Sequence, residues 1–179
     1  GIYARAPARF APGYGEMEFD REGRYLEAHF RDLTVISVYL PSGSSGPHRQ
    51  ASKYRFLASF LPHLAKLRAG GREIILCGDW NIAHQNIDLT NWRANRKHSG
   101  FLPDERAWLT RIFDELGFVD DDLDLDMLAG GLRERTGQPV TLLVGQRQGA
   151  ADLGDVVLAL RRGELDESVD DRGLRAGGG

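Results

Sequence analysis

A carboxylate and a carboxamide lie two positions apart at Asp79 and Asn81. The apolar, β-branched run at 73–77 predicts a buried strand that ends at Gly78. Side chains i and i+2 of a strand point to one face, so both groups are expected to leave the strand tip together. Such a pair can hold a divalent cation, activate a water and hydrogen-bond a phosphoryl oxygen. The alternative is a strand-end Asx turn, and the spacing alone favours neither.

A tyrosine is predicted to close an earlier strand. Residues 33–40 are largely apolar, and Tyr39 stands just before a loop rich in Pro, Gly and Ser at 41–48. A phenol in this place can donate a hydrogen bond to a phosphate oxygen or stabilise charge on a leaving group. The alternative is an aromatic side chain packed in the core, which the residues alone favour.

Two basic side chains begin the next element. Apolar residues recur at helical spacing over 49–69, with Gly70-Gly71 as the expected end and Pro62 as an expected kink or break. Arg49 and Lys53 are four residues apart and share one face of this helix, so they could reach a DNA phosphate. The alternative is a solvated helix face.

A basic, amide-rich segment with one aromatic residue covers 91–97. Asn91, Trp92 and Lys97 are its candidate contact residues. Amides and cations suit phosphate oxygens, and an indole suits stacking or wedging into an unstacked site.

The elements that must position these residues alternate in type. We predict an antiparallel hairpin from strands at 24–30 and 33–40, then the helix at 49–69, the strand at 73–77, and a helix capped by Asp104 that runs to about Leu116. This order predicts an α/β fold with a mixed sheet packed by helices.

Longer strings suggest a family. Glu18-Phe19-Asp20-Arg21-Glu22-Gly23-Arg24-Tyr25, Val38-Tyr39-Leu40-Pro41-Ser42-Gly43, Gly78-Asp79-Trp80-Asn81-Ile82-Ala83-His84, Ile87-Asp88-Leu89-Thr90-Asn91-Trp92 and Gly100-Phe101-Leu102-Pro103-Asp104-Glu105-Arg106-Ala107-Trp108-Leu109 occur in this order. Together they resemble exodeoxyribonuclease III, the bacterial AP endonuclease branch of the endonuclease/exonuclease/phosphatase superfamily. The resemblance is strong from residue 1 to about 120.

The resemblance implies a four-layer α/β-sandwich, of which this chain would form part. It implies hydrolysis of DNA phosphodiesters with Mg²⁺ or Mn²⁺, at 3′ ends of duplex DNA and 5′ to abasic sites, in base-excision repair. It assigns acid–base work to Asp79, contacts with phosphate and metal to Asn81, and a phosphate or transition-state contact to Tyr39. It also favours DNA positioning by Arg49, Lys53, Asn91, Trp92 and Lys97.

The C-terminal part departs from the family pattern. Val140-Thr141-Leu142-Leu143-Val144 stands where a Tyr-Thr-Trp-Trp-Ser string is expected, and Asp155 is the candidate for an aspartate of the phosphate and metal environment. No histidine follows His98, and the family's early asparagine and metal-binding glutamate are expected to precede this chain. We therefore expect impaired catalysis. The alternatives are a non-catalytic DNA-binding remnant and a phosphatase relative acting on a small molecule.

Bulk properties complete the expectations. Residues 1–100 carry 14 Lys/Arg and 9 Asp/Glu, a net of +5, whereas residues 101–179 carry 9 and 17, a net of −8. The basic part suits a phosphate backbone.

We expect a nuclease-like core at 1–120, a diverged part of the same domain at 121–170 and a disordered tail at 171–179. The chain has one cysteine, Cys77, and no apolar run long enough to span a membrane. Together these features predict a cytoplasmic protein with no membrane partner. A partial sandwich also predicts self-association through an exposed apolar sheet face.

Overall fold

The computed structural model describes residues 1–2, 7–120 and 155–160, with backbone only for 119–120 and 155–160. The elements are, in chain order, β1 (Arg9–Pro12), α1 (Met17–Asp20), β2 (Tyr25–His29), β3 (Leu33–Tyr39), α2 (Pro47–Ala69), β4 (Glu73–Asp79), a 3₁₀ turn (Asn86–Asp88), α3 (Trp92–Asn95), α4 (Pro103–Asp114), β5 (Val119–Asp120) and β6 (Asp155–Leu160). The other expectations for 121–179 lie outside the described residues.

The strands form one six-stranded sheet in the order β1-β2-β3-β4-β6-β5. β3 and β4 are parallel and joined by the crossover helix α2, whereas all the other neighbours are antiparallel. A parallel pair needs such a long connection, which the 23-residue α2 supplies. The prediction of an α/β fold with a mixed sheet and packed helices is confirmed.

The two faces of the sheet bury different side chains. Along β3 and β4, even-numbered apolar residues pack against the helices, and odd-numbered ones enter a second cluster on the opposite face. The helix-facing cluster includes Ile36, Val38, Ile74, Leu76, Phe56, Phe60, Leu64, Trp108 and Ile112. The second cluster is Ala28, Phe30, Leu33, Val35 and Ile75, all buried. These five side chains are buried, and self-association through this face stays a prediction.

The helix α2 differs from its prediction in two ways. It begins at Pro47, where proline suits the first turn because its missing N–H would have no helical partner. It also continues through Pro62 without a break, and Phe60 and Leu64 on either side are fully buried. Packing of this apolar face outweighs the hydrogen bond that proline removes.

The strand β4 does not end at Gly78, as the sequence predicts, but continues to Asp79. Gly78 adopts a φ of 142°, and a Cβ atom placed on it would lie 1.8 Å from the carbonyl oxygen of Val38. Val38 is its register partner in β3. Glycine therefore permits a close strand contact here rather than terminating the strand.

The helix α4 starts at Pro103, one residue before the predicted cap. Its beginning is held by Glu105, whose carboxylate accepts a hydrogen bond from the backbone N–H of Leu102 at 3.2 Å. Its end has the predicted glycine, because Gly117 has a φ of 67° and its N–H donates to the carbonyl of Phe113 at 3.0 Å. Among the described residues, no helix is long and apolar enough to cross a membrane.

Candidate active site

Three candidate residues share one level of the sheet. Tyr39 and Asp79 are register partners at the ends of parallel β3 and β4, and Asp79 is also the register partner of Asp155 at the start of β6. Residues directly opposite each other on adjacent strands lie on one face of the sheet. The fold thus gathers residues that are far apart in the sequence at the edge of the sheet formed by the strand ends (the sheet edge). Asp155 is placed there by its backbone alone.

Asn81 joins this edge through a turn. Its backbone N–H donates to Asp79 Oδ1 at 2.9 Å, and its side-chain Nδ2 donates to Asp79 Oδ2 at 3.1 Å and to the carbonyl of Leu40 at 3.0 Å. Asn81 has a φ of 50°, a left-handed conformation that asparagine tolerates better than most residues. The two side chains are adjacent as predicted. The Asx turn, considered as the alternative, is also present and holds the carboxylate and the amide together.

Tyr39 is not a core aromatic residue. The residue is 48% exposed, and the guanidinium of Arg24 lies over the ring, 5.0 Å from its centroid. Arg24 Nη1 also donates to the carbonyl of Tyr39 at 3.2 Å, while its Nε forms an ion pair with Glu22. Arg24 is buried and holds both the backbone and the ring of Tyr39.

Arg24 was not singled out from the sequence. The signal was available in the hairpin, since extending the predicted pairing of the two strands places residue 24 opposite residue 39. The structure shows this pairing, because the N–H of Tyr39 donates to the carbonyl of Arg24 at 2.8 Å.

The two basic residues of α2 have different environments. The Arg49 side chain is 33% exposed, and its Nη1 lies 3.9 Å from Glu22 Oε1. Lys53 is fully buried, and its Nζ lies 2.8 Å from Glu105 Oε1 and donates to the carbonyl of Asn81 at 2.8 Å. Burial lowers the pKa of Lys53, and the neighbouring Glu105 carboxylate opposes that shift. This position conflicts with the prediction that Lys53 contacts DNA, because its ammonium faces the interior.

The basic segment at 91–97 is accessible. Asn91 and Lys97 are exposed, and Trp92 is half-buried with the Arg93 guanidinium 4.5 Å from its ring centroid. The short helix α3 lies in this segment. The chain then returns to the site, because the N–H of Ala83 donates to the carbonyl of Gly100 at 2.8 Å.

His84 has a structural environment. Its Nε2 lies 2.8 Å from Thr110 Oγ1, and its ring contacts Phe113 at 5.0 Å between centroids. Its carbonyl accepts a hydrogen bond from Arg106 Nε at 2.7 Å. Burial lowers its pKa, so the neutral ring is favoured. These contacts join the end of the turn that follows β4 (80–83, the site turn) to α4.

The donor set at the sheet edge is of the kind that binds a divalent cation. Within the described ranges, no group of three or more His, Cys, Asp or Glu side chains could by itself hold a metal. Mg²⁺ is commonly bound through one or two carboxylates, with substrate phosphate oxygens and waters completing its shell. Asp79, with Asn81 beside it, provides oxygen donors of this kind. The backbone places Asp155 at the same register level.

Comparison with known sequences points to one family. A model of the Endonuclease/Exonuclease/phosphatase family matches residues 1–147. The chain is 39% identical over 119 residues to the DNA repair nuclease APEX1 of Danio rerio, which covers 66% of this chain and 38% of that protein. It is 40% identical over 114 residues to an exodeoxyribonuclease of Bacillus subtilis, covering 64% and 44%. The matched region is less than half of either relative.

Solved structures share the fold. An AP endonuclease from Archaeoglobus fulgidus superposes with a TM-score of 0.63 at 24% identity, over 86% of this chain and 59% of that one. A 3′-5′ exonuclease from Neisseria meningitidis gives a TM-score of 0.64 at 18% identity, over 87% and 59%. The sequence match over most of the chain and the shared fold lead to one conclusion: this chain belongs to the endonuclease/exonuclease/phosphatase family.

Proposed function

We propose that this chain is the site-bearing part of a metal-dependent hydrolase of DNA phosphodiesters that acts in base-excision repair as an exodeoxyribonuclease and abasic-site endonuclease. The observation that carries the proposal is the convergence of Tyr39, Asp79 and Asn81 at one sheet edge. Relatives named as a DNA repair nuclease and as an exodeoxyribonuclease support it.

The residues at this edge suit phosphoryl chemistry. A bound Mg²⁺ or Mn²⁺ would polarise a phosphoryl oxygen and neutralise charge, with Asp79, Asn81 and Asp155 as the residues that would hold it. Asp79 acts as an acid or base at the scissile phosphate by donating or accepting a proton. Asn81 orients the Asp79 carboxylate through its Nδ2–H. The exposed phenol of Tyr39 donates to a phosphate oxygen and stabilises developing charge.

Duplex DNA with an abasic site or a 3′ end is the proposed partner. Arg49, Asn91, Trp92 and Lys97 keep side chains at the surface that suit phosphate contact or stacking. A structural neighbour is a 3′ phosphatase bound to a product DNA hairpin, which supports DNA as the ligand class. We also place the protein in the cytoplasm, on the sequence argument alone.

A second candidate is a DNA-binding protein that does not cut. It is favoured by the departure of 140–144 from the family string. On this proposal the basic segment at 91–97 would still bind duplex DNA.

The test is cleavage of a labelled duplex with one abasic site, in Mg²⁺ and in EDTA. Asp79→Ala should lower metal-dependent cleavage by at least about 10²-fold, because it removes the proton-transfer group. Asp114→Ala is the control, since Asp114 is an exposed carboxylate at the end of α4. Cleavage unchanged by Asp79→Ala would refute the proposal. Tight duplex binding without cleavage by the wild-type chain would favour the second candidate.

A further inference from the structure

We propose that the buried pair Lys53–Glu105 positions two segments relative to each other. One is the site turn at Asn81, and the other is the basic segment at 91–97 with the residues that follow it to 100 (the DNA-facing segment). The inference rests on the proposed function, which supplies the roles of both loops. Lys53 and Glu105 are positioning residues, because neither reaches the surface where substrate would lie: both side chains have 0% exposure.

Lys53, on α2, contacts the site turn from the interior of the protein. Its ammonium has three N–H donors, and two acceptors among the described residues are within reach: Glu105 Oε1 at 2.8 Å and the carbonyl of Asn81 at 2.8 Å. Asn81 has a left-handed backbone, which no regular secondary structure sustains. A charged donor at its carbonyl stabilises that conformation and, through it, the Nδ2 contact to Asp79.

Glu105 holds the end of the DNA-facing segment. Its Oε2 accepts hydrogen bonds from the backbone N–H groups of Gly100 at 2.6 Å and Leu102 at 3.2 Å. Its Oε1 accepts from Gln50 Nε2 at 2.9 Å and from Ser99 Oγ at 3.4 Å. The segment that carries the predicted DNA contacts therefore ends on the same carboxylate that pairs with Lys53.

The nature of the pair argues for geometry rather than for stability alone. Removing two charges from water is costly, and apolar side chains of similar volume often stabilise a protein as well or better. Here each charge bonds a backbone group in a segment that lacks regular structure: the carbonyl of Asn81 on one side, the N–H of Gly100 on the other. Apolar replacements could fill the space but could not direct these two backbone groups.

The first test uses the complete chain with Lys53→Met and, as a matched control, Arg55→Met. Arg55 lies two residues further along α2 and also forms an ion pair, with Glu18, but that pair is at the surface. Lys53→Met should speed amide hydrogen exchange at 80–83 and 99–102 by at least tenfold. It should lower kcat for an abasic duplex by at least tenfold, with KM within about threefold. Arg55→Met should change neither.

The second test separates positioning from folding stability. The double variant Lys53→Met with Glu105→Leu replaces the pair by apolar side chains, and thermal unfolding measures its stability. Restored stability with exchange and kcat still impaired would support positioning, whereas recovery of all three would overturn it. Unchanged exchange at 80–83 and 99–102 in Lys53→Met would also overturn it. If the wild-type chain does not cleave, the proposed function fails, but the exchange measurements still decide the inference.

Discussion

At the scale of single residues, this protein places a phenol, a carboxylate and an amide at the end of two parallel strands. Contacts with neighbouring residues fix the position of each of these groups. Arg24 holds the ring of Tyr39, the Asx turn holds Asp79 against Asn81, and Lys53 supports the carbonyl of Asn81. The chemistry proposed for these three groups thus depends on the buried cations that contact them.

The phenol of Tyr39 is testable by removal of one oxygen. Tyr39→Phe should lower the single-turnover rate on an abasic duplex by about tenfold or more, because a donor to the developing charge is lost. The ring and its contact with Arg24 remain, so thermal stability should not change. Tyr14→Phe is the control, since its hydroxyl lies 3.0 Å from the Ser59 hydroxyl on α2. An unchanged rate in Tyr39→Phe would remove the phenol from the mechanism.

At the scale of elements, the parallel contact between β3 and β4 determines where the site lies. The register places Tyr39 opposite Asp79, and the chain reaches this arrangement only because Gly78 lets the two strands approach. The crossover α2 then brings Lys53 beneath the turn that follows β4.

Substitution of this glycine should therefore be costly. Gly78→Ala should destabilise the protein by more than about 3 kcal/mol, because it combines a strained φ with a clash against the Val38 carbonyl. The matched control is Gly23→Ala, which has a φ of 66° but open space around its Cβ and should cost only about 1–2 kcal/mol. Urea unfolding of both variants gives the comparison. Equal losses would mean that strain, and not close strand approach, selects glycine at 78.

At the scale of the whole molecule, a polar cluster links the sheet to its helical layer. Tyr25 Oη donates to Glu27 Oε1 at 2.5 Å and lies 2.8 Å from His63 Nε2 on α2. His29 Nε2 lies 2.8 Å from the other Glu27 oxygen. Burial lowers the pKa of both histidines below 6.5, while the Glu27 carboxylate opposes the shift.

This cluster predicts a loss of stability in mild acid. Because the two histidines have lower pKa values when folded, the unfolded chain binds protons first as the pH falls below about 6.5. Their contribution is thus fully present above that pH and is lost as the pH falls towards the folded pKa values. The melting temperature should fall between about pH 7 and 5, and less steeply in His63→Gln. His48→Gln, at an exposed position, should keep the wild-type slope. An identical slope in His63→Gln would contradict the assignment.

From the sequence alone, the order and type of β2, β3, α2, β4 and α4 could be predicted, and candidate site residues could be proposed. Periodicity reports which residues are apolar together, so β2, β3, α2 and α4 are predicted nearly at their observed bounds, and the Asp-x-Asn spacing identifies the site turn. What lies opposite each face depends on packing between elements that are distant in the chain. The i, i+4 spacing of Arg49 and Lys53 indicates a shared side of α2, but only packing against α4 and the site turn buries one and leaves the other at the surface. Likewise, the position of Gly78 inside β4 and of Arg24 over Tyr39 depends on strand register, which arises from contacts between residues distant in the chain.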